Sequence, residues 1–245
     1  IQANNRKLIN NSLIYKNGSY HMDLEDFEKK IVENNVRLFI LCSPHNPVGR
    51  VWTKEELIWL GDICVKHNVI VVADEIHADF VYKGHKHHVF ANLKPEFLDN
   101  SIICTAPSKT FNLAGLQVSN IFIANKDIRY AFIKEIDRTG YSQLNTMGLI
   151  ACQAAYEYGG KWLEELKEYL SENLSFIKSF LAEHLPQIKL VEPEGTYLVW
   201  LDCKGLGLSE QELEELIVNK AKLWLDGGTM FGKDGENFQR VNIAC

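Results

Sequence analysis

Long apolar runs are missing from the 245-residue chain: none approaches the roughly 20 residues that a membrane-spanning helix needs. An excess of positive charge is missing too. Lysine and arginine number 26 against 32 aspartates and glutamates, a formal charge of −6, and a mildly acidic surface repels nucleic-acid phosphates. Neither a membrane nor a nucleic acid is therefore expected as partner. The six cysteines, Cys42, Cys64, Cys104, Cys152, Cys203 and Cys245, include no CxxC pair and no metal-ligand spacing. They read as small hydrophobes in a reducing compartment, which points to the cytoplasm and away from a disulfide framework. No signal peptide, internal repeat or low-complexity tract is visible. The chain opens at Ile1 without a methionine and stops at Cys245 straight after an apolar segment, so a fragment is expected.

Core-forming residues are plentiful, at 46% hydrophobic and 11% aromatic, which excludes a disordered chain and suits one or two domains. Short apolar runs, Leu38 to Cys42, Val69 to Ala73, Ser101 to Thr105 and Asn120 to Ala124, suit strands covered on both faces of a mostly parallel sheet. Between the first two, Thr53 and Glu56 form a capping box ahead of a helix whose Leu57, Leu60, Ile63 and Cys64 share one face. Strand, helix, strand in this spacing predicts an α/β fold.

Helical patterns follow over 127–138, 144–158 and 162–184, the last with a charged, solvated face. A strand in YLVWLD, a helix over 210–220, a short strand near 223–225, a turn at Gly227-Gly228 and a strand over 240–244 suggest a smaller α+β unit. The expected division is 1–160 and 161–245.

Four constellations stand at predicted strand ends, the edge where ligands bind in open α/β sheets. SPHNPVG (43–49) can fix Asn46 as a hydrogen-bonding side chain, or be turn chemistry alone. In ADEIHAD (73–79), Asp74 leaves a buried strand and needs a cation or several donors; a helix cap at Asp74 or Glu75 is the plainer reading. In TAPSKTFNLAGL (105–116), Lys109 can be a desolvated nucleophile or a surface charge. In FQRVNIAC (238–245), Arg240 enters an apolar strand, where a guanidinium usually needs a carboxylate. His85, His87 and His88 in KGHKHH read as a solvated turn rather than a metal site, and the sequons at Asn10, Asn17 and Asn173 as chance.

Taken in order, SPHNPVGRVWTKEEL, DEIHADFVY, PSKTFNLAGLQ and EGTYLVWLD resemble the fold-type-I pyridoxal-phosphate enzymes, and within them the cystathionine β-lyase-like branch of the class I and II aminotransferases. The resemblance implies an aspartate-aminotransferase fold: a large cofactor-binding domain, incomplete at its N-terminus, and a smaller C-terminal one, incomplete at its end. It implies pyridoxal 5'-phosphate as cofactor. Lys109 would bond to its aldehyde and move the α-proton, and Asp74 would pair with the pyridinium nitrogen. Asn46 and His77 would reach the ring's phenolic oxygen, Ser108 the phosphate, and Arg240 the substrate's α-carboxylate. Gln117 departs from the pattern, standing where many aminotransferases carry a phosphate-binding arginine.

The reaction implied is C–S β-elimination from cystathionine or a cysteine S-conjugate. Transamination and a non-catalytic role in binding a regulatory protein are the alternatives. A homodimer with shared active sites is implied too, and the apolar surface that a fragment would expose should favour association.

Overall fold

The structure, a computed structural model, describes residues 1–141 and 143–244, so Cys245 lies outside the described residues. It opens with a hairpin of β1 (Ile14–Lys16) and β2 (Ser19–His21) around Asn17 and Gly18, both at positive φ. This asparagine–glycine turn supplies the left-handed pair that a two-residue hairpin requires. Helix α1 (Leu24–Asn34) follows, capped by the Asp23 side chain on the Asp26 amide.

Strands β3 (Leu38–Cys42), β4 (Ile70–Asp74) and β5 (Ser101–Thr105) pair in parallel, and β6 (Asn120–Phe122) closes the sheet antiparallel to β5. The expected α/β architecture is present. Helix α2 (Lys54–Lys66) connects β3 to β4 and starts with the predicted capping box: Glu56 N–H donates to Thr53 Oγ1, and Thr53 N–H to Glu56 Oε2. Its Leu57, Leu60 and Cys64 pack with Leu41, Val71, Ala73 and Ile103 from the sheet. Full burial of a side chain such as Leu57 contributes about 1.5–3 kcal/mol. Gly61 is the close-approach point, because a Cβ there would lie 2.4 Å from the Phe97 ring of α3 (Pro95–Asp99).

Leu38 and Ile40, alternate residues of β3, stay about half exposed, whereas their neighbour Leu41 is buried. Among the described residues, the helix layer covers the Leu41 side of β3.

Beyond α4 (Pro107–Thr110), helices α5 (Lys126–Arg138), α6 (Thr146–Tyr158) and α7 (Gly160–His184) occupy the three predicted segments. A second, antiparallel sheet follows in the order β7-β8-β10-β9: β7 (Lys189–Val191), β8 (Leu198–Asp202), β10 (Phe238–Asn242) and β9 (Asp226–Gly227). Leu170, Leu174 and Leu181 of α7 pack on Val199 and Leu201 of β8. Helix α8 (Glu210–Glu214) continues as a π turn over Glu215–Lys220. The strand expected near 223–225 is displaced: Leu223 and Trp224 are exposed loop, and pairing starts only at Asp226, where a partner in β10 is within reach. No described helix is long and apolar enough to cross a membrane.

The segment Pro193–Thr196 joins the sheets. Glu194 and Gly195 amides donate to the Gly49 carbonyl, Thr196 N–H to Phe80, and Tyr82 N–H to Glu194. Gly49 has φ +72°, and a Cβ on it would lie 2.9 Å from Pro193 Cβ, so both conformation and space demand glycine there.

Candidate active site

The parallel strands β3, β4 and β5 end at one edge, and three of the four constellations leave the sheet there. The register sets Cys42 beside Asp74 and Asp74 beside Cys104, so Asp74 is the central side chain of that edge. It is half-buried, and its Oδ1 accepts the Ile76 amide at 3.2 Å.

Asn46 sits between two cis prolyl bonds, Ser43–Pro44 and Asn46–Pro47. Its amide N–H points at Cys42 Sγ (3.5 Å), and its Oδ1 accepts from Arg240 Nη1 at 2.9 Å. That bond ties the first strand-end loop to β10 of the other sheet. With the oxygen committed, the Asn46 Nδ2 hydrogens remain as donors.

Lys109 is exposed at the third residue of α4, and Ser108 beside it is half-buried. Pro107 suits the first turn, where its missing N–H costs nothing. Thr110 anchors this turn to the loop after β4, donating its hydroxyl to Asp79 Oδ2 at 2.6 Å. Gln117 is exposed and left-handed at φ 55°.

His77 lies between these groups. It is buried, its ring 5.6 Å from that of Tyr197, edge to face. Burial, then the positive charges of Lys109 and Arg240, pushes its pKa down to about 4, so the imidazole is neutral at pH 7. Its Nδ1 is buried with no hydrogen-bond partner among the described residues. A buried polar atom left without a partner is costly, and one beside two cations suits a site that receives a polar ligand.

Arg240 is held by Asp226, which stands directly opposite it across β9 and β10. Nε and Nη2 donate to Asp226 Oδ2 at 3.1 and 2.5 Å, and Cζ lies 4.7 Å from the centre of the Phe231 ring. The carboxylate partner expected for Arg240 exists, but nothing local in the sequence identifies it.

Two expectations need correction. The residue fully buried at the end of β4 is Glu75, not Asp74; its carboxylate accepts the Phe90 amide (2.9 Å) and pairs with His87 Nε2 (3.0 Å). His87 is therefore not part of a solvated turn, although His85 is exposed as expected. The loop bends back because a buried carboxylate requires a partner. The five described cysteines are free thiols. Two cavities, of about 640 and 610 Å³, lie elsewhere: one between the 80–83 loop and α7, the other beside β5 and β6. The candidate site is defined by the groups that converge at the strand ends.

The family profile described as aminotransferase class I and II matches residues 3–245. The chain is 45% identical over its whole length to cystathionine beta-lyase PatB of Bacillus subtilis, and 31% identical over 246 aligned residues to protein MalY of Escherichia coli. It spans 63% and 62% of those two relatives. Among solved structures, cystalysin of Treponema denticola, which contains pyridoxal 5'-phosphate, superposes with a TM-score of 0.97 at 40% identity; all of this chain and 62% of that one are covered. A PLP-bound putative aminotransferase of Clostridium difficile does so at 0.97 and 47%, with 63% of its length covered.

Proposed function

The chain belongs to the aminotransferase class I and II family, and from this we propose that the whole protein is a pyridoxal-phosphate-dependent C–S β-lyase of small amino acids. It would take cystathionine, cysteine or a related S-conjugate and, with water, give a thiol, ammonia and pyruvate. The names of two relatives, a cystathionine beta-lyase and cystalysin, support the reaction class. The observation that carries the reading is the hydrogen bond from Arg240 to Asn46, which brings the loop after β3 together with β10 of the other sheet.

These residues fit the cofactor. His77 has a neutral ring with an unpartnered buried nitrogen, and Asn46 has a fixed amide with spare donors. Both suit its phenolic oxygen. Asp74 would hold a proton at the pyridine nitrogen, and Ser108 would bind phosphate. When bound, pyridoxal phosphate supplies an electron sink for the pair released at the substrate's Cα. Lys109 would anchor the aldehyde and then carry the α-proton. Its exposed amine, on a turn pinned by Thr110 and Asp79, is free to do so. Arg240 would grip the α-carboxylate and so aim the Cα–H bond.

We propose too that the protein is cytoplasmic and a homodimer; for the dimer, the uncovered apolar side chains of α6, Met147, Leu149, Ile150 and Tyr156, are the support. The division at residues 160 and 161 is proposed on the two separate four-stranded sheets flanking it.

The deciding experiment uses the whole protein with added cofactor and cystathionine, without a keto-acid acceptor. Pyruvate release, together with a long-wavelength absorbance lost in Lys109→Ala, is expected. Product only when a keto acid is added would identify an aminotransferase. A folded protein inactive under both conditions would leave the regulatory protein-binding role.

A further inference from the structure

We propose that Asp226 is the positioning residue of this site: it locks the Arg240 guanidinium by one edge and leaves the other to a single substrate carboxylate. The inference rests on Arg240 as the carboxylate-binding group of the reading above.

The sheet register itself creates the pair. Arg240 and Asp226 are directly opposed residues of antiparallel strands, so their side chains leave the same face at cross-strand contact distance. A guanidinium carries five N–H donors in a rigid plane. Here three are engaged: Nε and one Nη2 hydrogen on Asp226 Oδ2, and one Nη1 hydrogen on Asn46 Oδ1. Phe231 covers one face of the plane. Among the described residues no partner takes the last two hydrogens, one on each terminal nitrogen. Each terminal nitrogen thus keeps one donor for a carboxylate, and the Nη2 one points away from the edge that Asp226 occupies.

Asp226 therefore does two things. Bonds on one edge, a third to Asn46 and a ring on one face stop the guanidinium rotating, which lowers the ordering cost when a ligand arrives. Its charge, on a side chain about two-fifths exposed, also offsets that of Arg240 before any ligand binds. Recognition then depends on orientation more than on net attraction, so the site grips one α-carboxylate whatever tail the ligand carries.

The test uses the whole protein and reads Arg240 directly, by mass spectrometry after phenylglyoxal modification, with and without propionate as a non-reacting monocarboxylate. In the wild type, propionate should slow labelling of Arg240. In Asp226→Ala, labelling should speed up and protection should weaken by about tenfold in propionate concentration, with Asp226→Asn restoring part of it. In steady-state assays the same variants should raise KM by a similar factor and leave kcat within about twofold. Tighter propionate binding or a lower KM in Asp226→Ala would make Asp226 a competitor for the guanidinium and overturn the proposal; so would an unchanged protection. Because labelling needs neither cofactor nor turnover, its outcome stays separate from that of the lyase assay.

Discussion

Arg50 and Glu194 stand 144 positions apart in sequence and share a bond of 2.9 Å, Nε to Oε2. The same guanidinium donates to both oxygens of Glu56 (3.1 and 3.0 Å) and to the Tyr20 carbonyl, and Val51 N–H reaches Glu194 Oε2 at 2.7 Å. One buried cation thus gathers the loop carrying Asn46, the start of α2, the β1–β2 hairpin and the segment leading into β8.

Replacing that cation should be costly. Arg50→Met leaves two mostly buried carboxylates facing each other without a counter-charge, and removing one member of such a group destabilises by about 3–5 kcal/mol. The fall would appear as an earlier urea midpoint at pH 7. A loss under 1 kcal/mol would mean that water reaches Glu56 and Glu194 and replaces the guanidinium.

Gly61→Ala tests the packing of α2 on α3. The added methyl would overlap the Phe97 ring, which is itself stacked on Phe90, so the ring has nowhere to retreat. Overpacking of this kind costs about 1–3 kcal/mol. Equilibrium unfolding should show the loss, and Phe97→Leu in the same chain should recover part of it.

Stability should fall as pH drops from about 6.5 to about 4. Burial holds His77 at about 4, and burial with the nearby Arg50 holds His45 at about 4 as well, against an ordinary value of 6.5. Inside that window the unfolded chain binds protons that the folded chain refuses, so unfolding gains with acidity; above it both states are neutral and the contribution is constant. Each histidine adds at most about 1.4 kcal/mol per pH unit. Urea midpoints measured from pH 7 to 4 should give a shallower slope in His77→Gln. An identical slope would show that its imidazole is protonated in the fold.

The histidine-rich loop offers a paired comparison. His87→Ala leaves Glu75 with the Phe90 amide as its one donor among the described residues and should cost about 1–3 kcal/mol, whereas His85→Ala, on an exposed side chain, should change stability by less than about 0.5 kcal/mol. Thermal unfolding of the two variants side by side decides it; equal shifts would remove the structural role assigned to His87.

Lys109→Ala should separate chemistry from folding. The side chain is exposed and makes no hydrogen bond or ion pair among the described residues, so stability should stay within about 0.5 kcal/mol of the wild type while cofactor absorbance and pyruvate release disappear together. A large stability loss would assign Lys109 a packing role instead.

Strands β3 to β5 and helix α2 were legible because apolar runs and a capping box are local signals that burial reinforces. The hairpin at Asn17-Gly18 carries an equally local signal, but three-residue strands hold too few side chains to form a run, and only the turn dipeptide marks it. Asn46, His77, Lys109 and Arg240 could be picked out as chemical candidates, yet their meeting depends on how two sheets dock. Asp226 was invisible for the same reason: its tie to Arg240 is a matter of strand register, which hydropathy at 223–225 misplaces. Glu75 and Asp74 are neighbours of like chemistry, and only the alternation of the strand decides which one goes inside.

The backbone clasp between Gly49, Phe80 and residues 194–196 has a mechanical side. Peeling β8 and β10 from the rest of the molecule would tear those amide bonds and unseat the turn bearing Asn46 in the same motion. The carboxylate grip and the strand-end loops should then melt as one cooperative event, with hydrogen exchange at Gly195 and at Gly49 sharing a common opening rate.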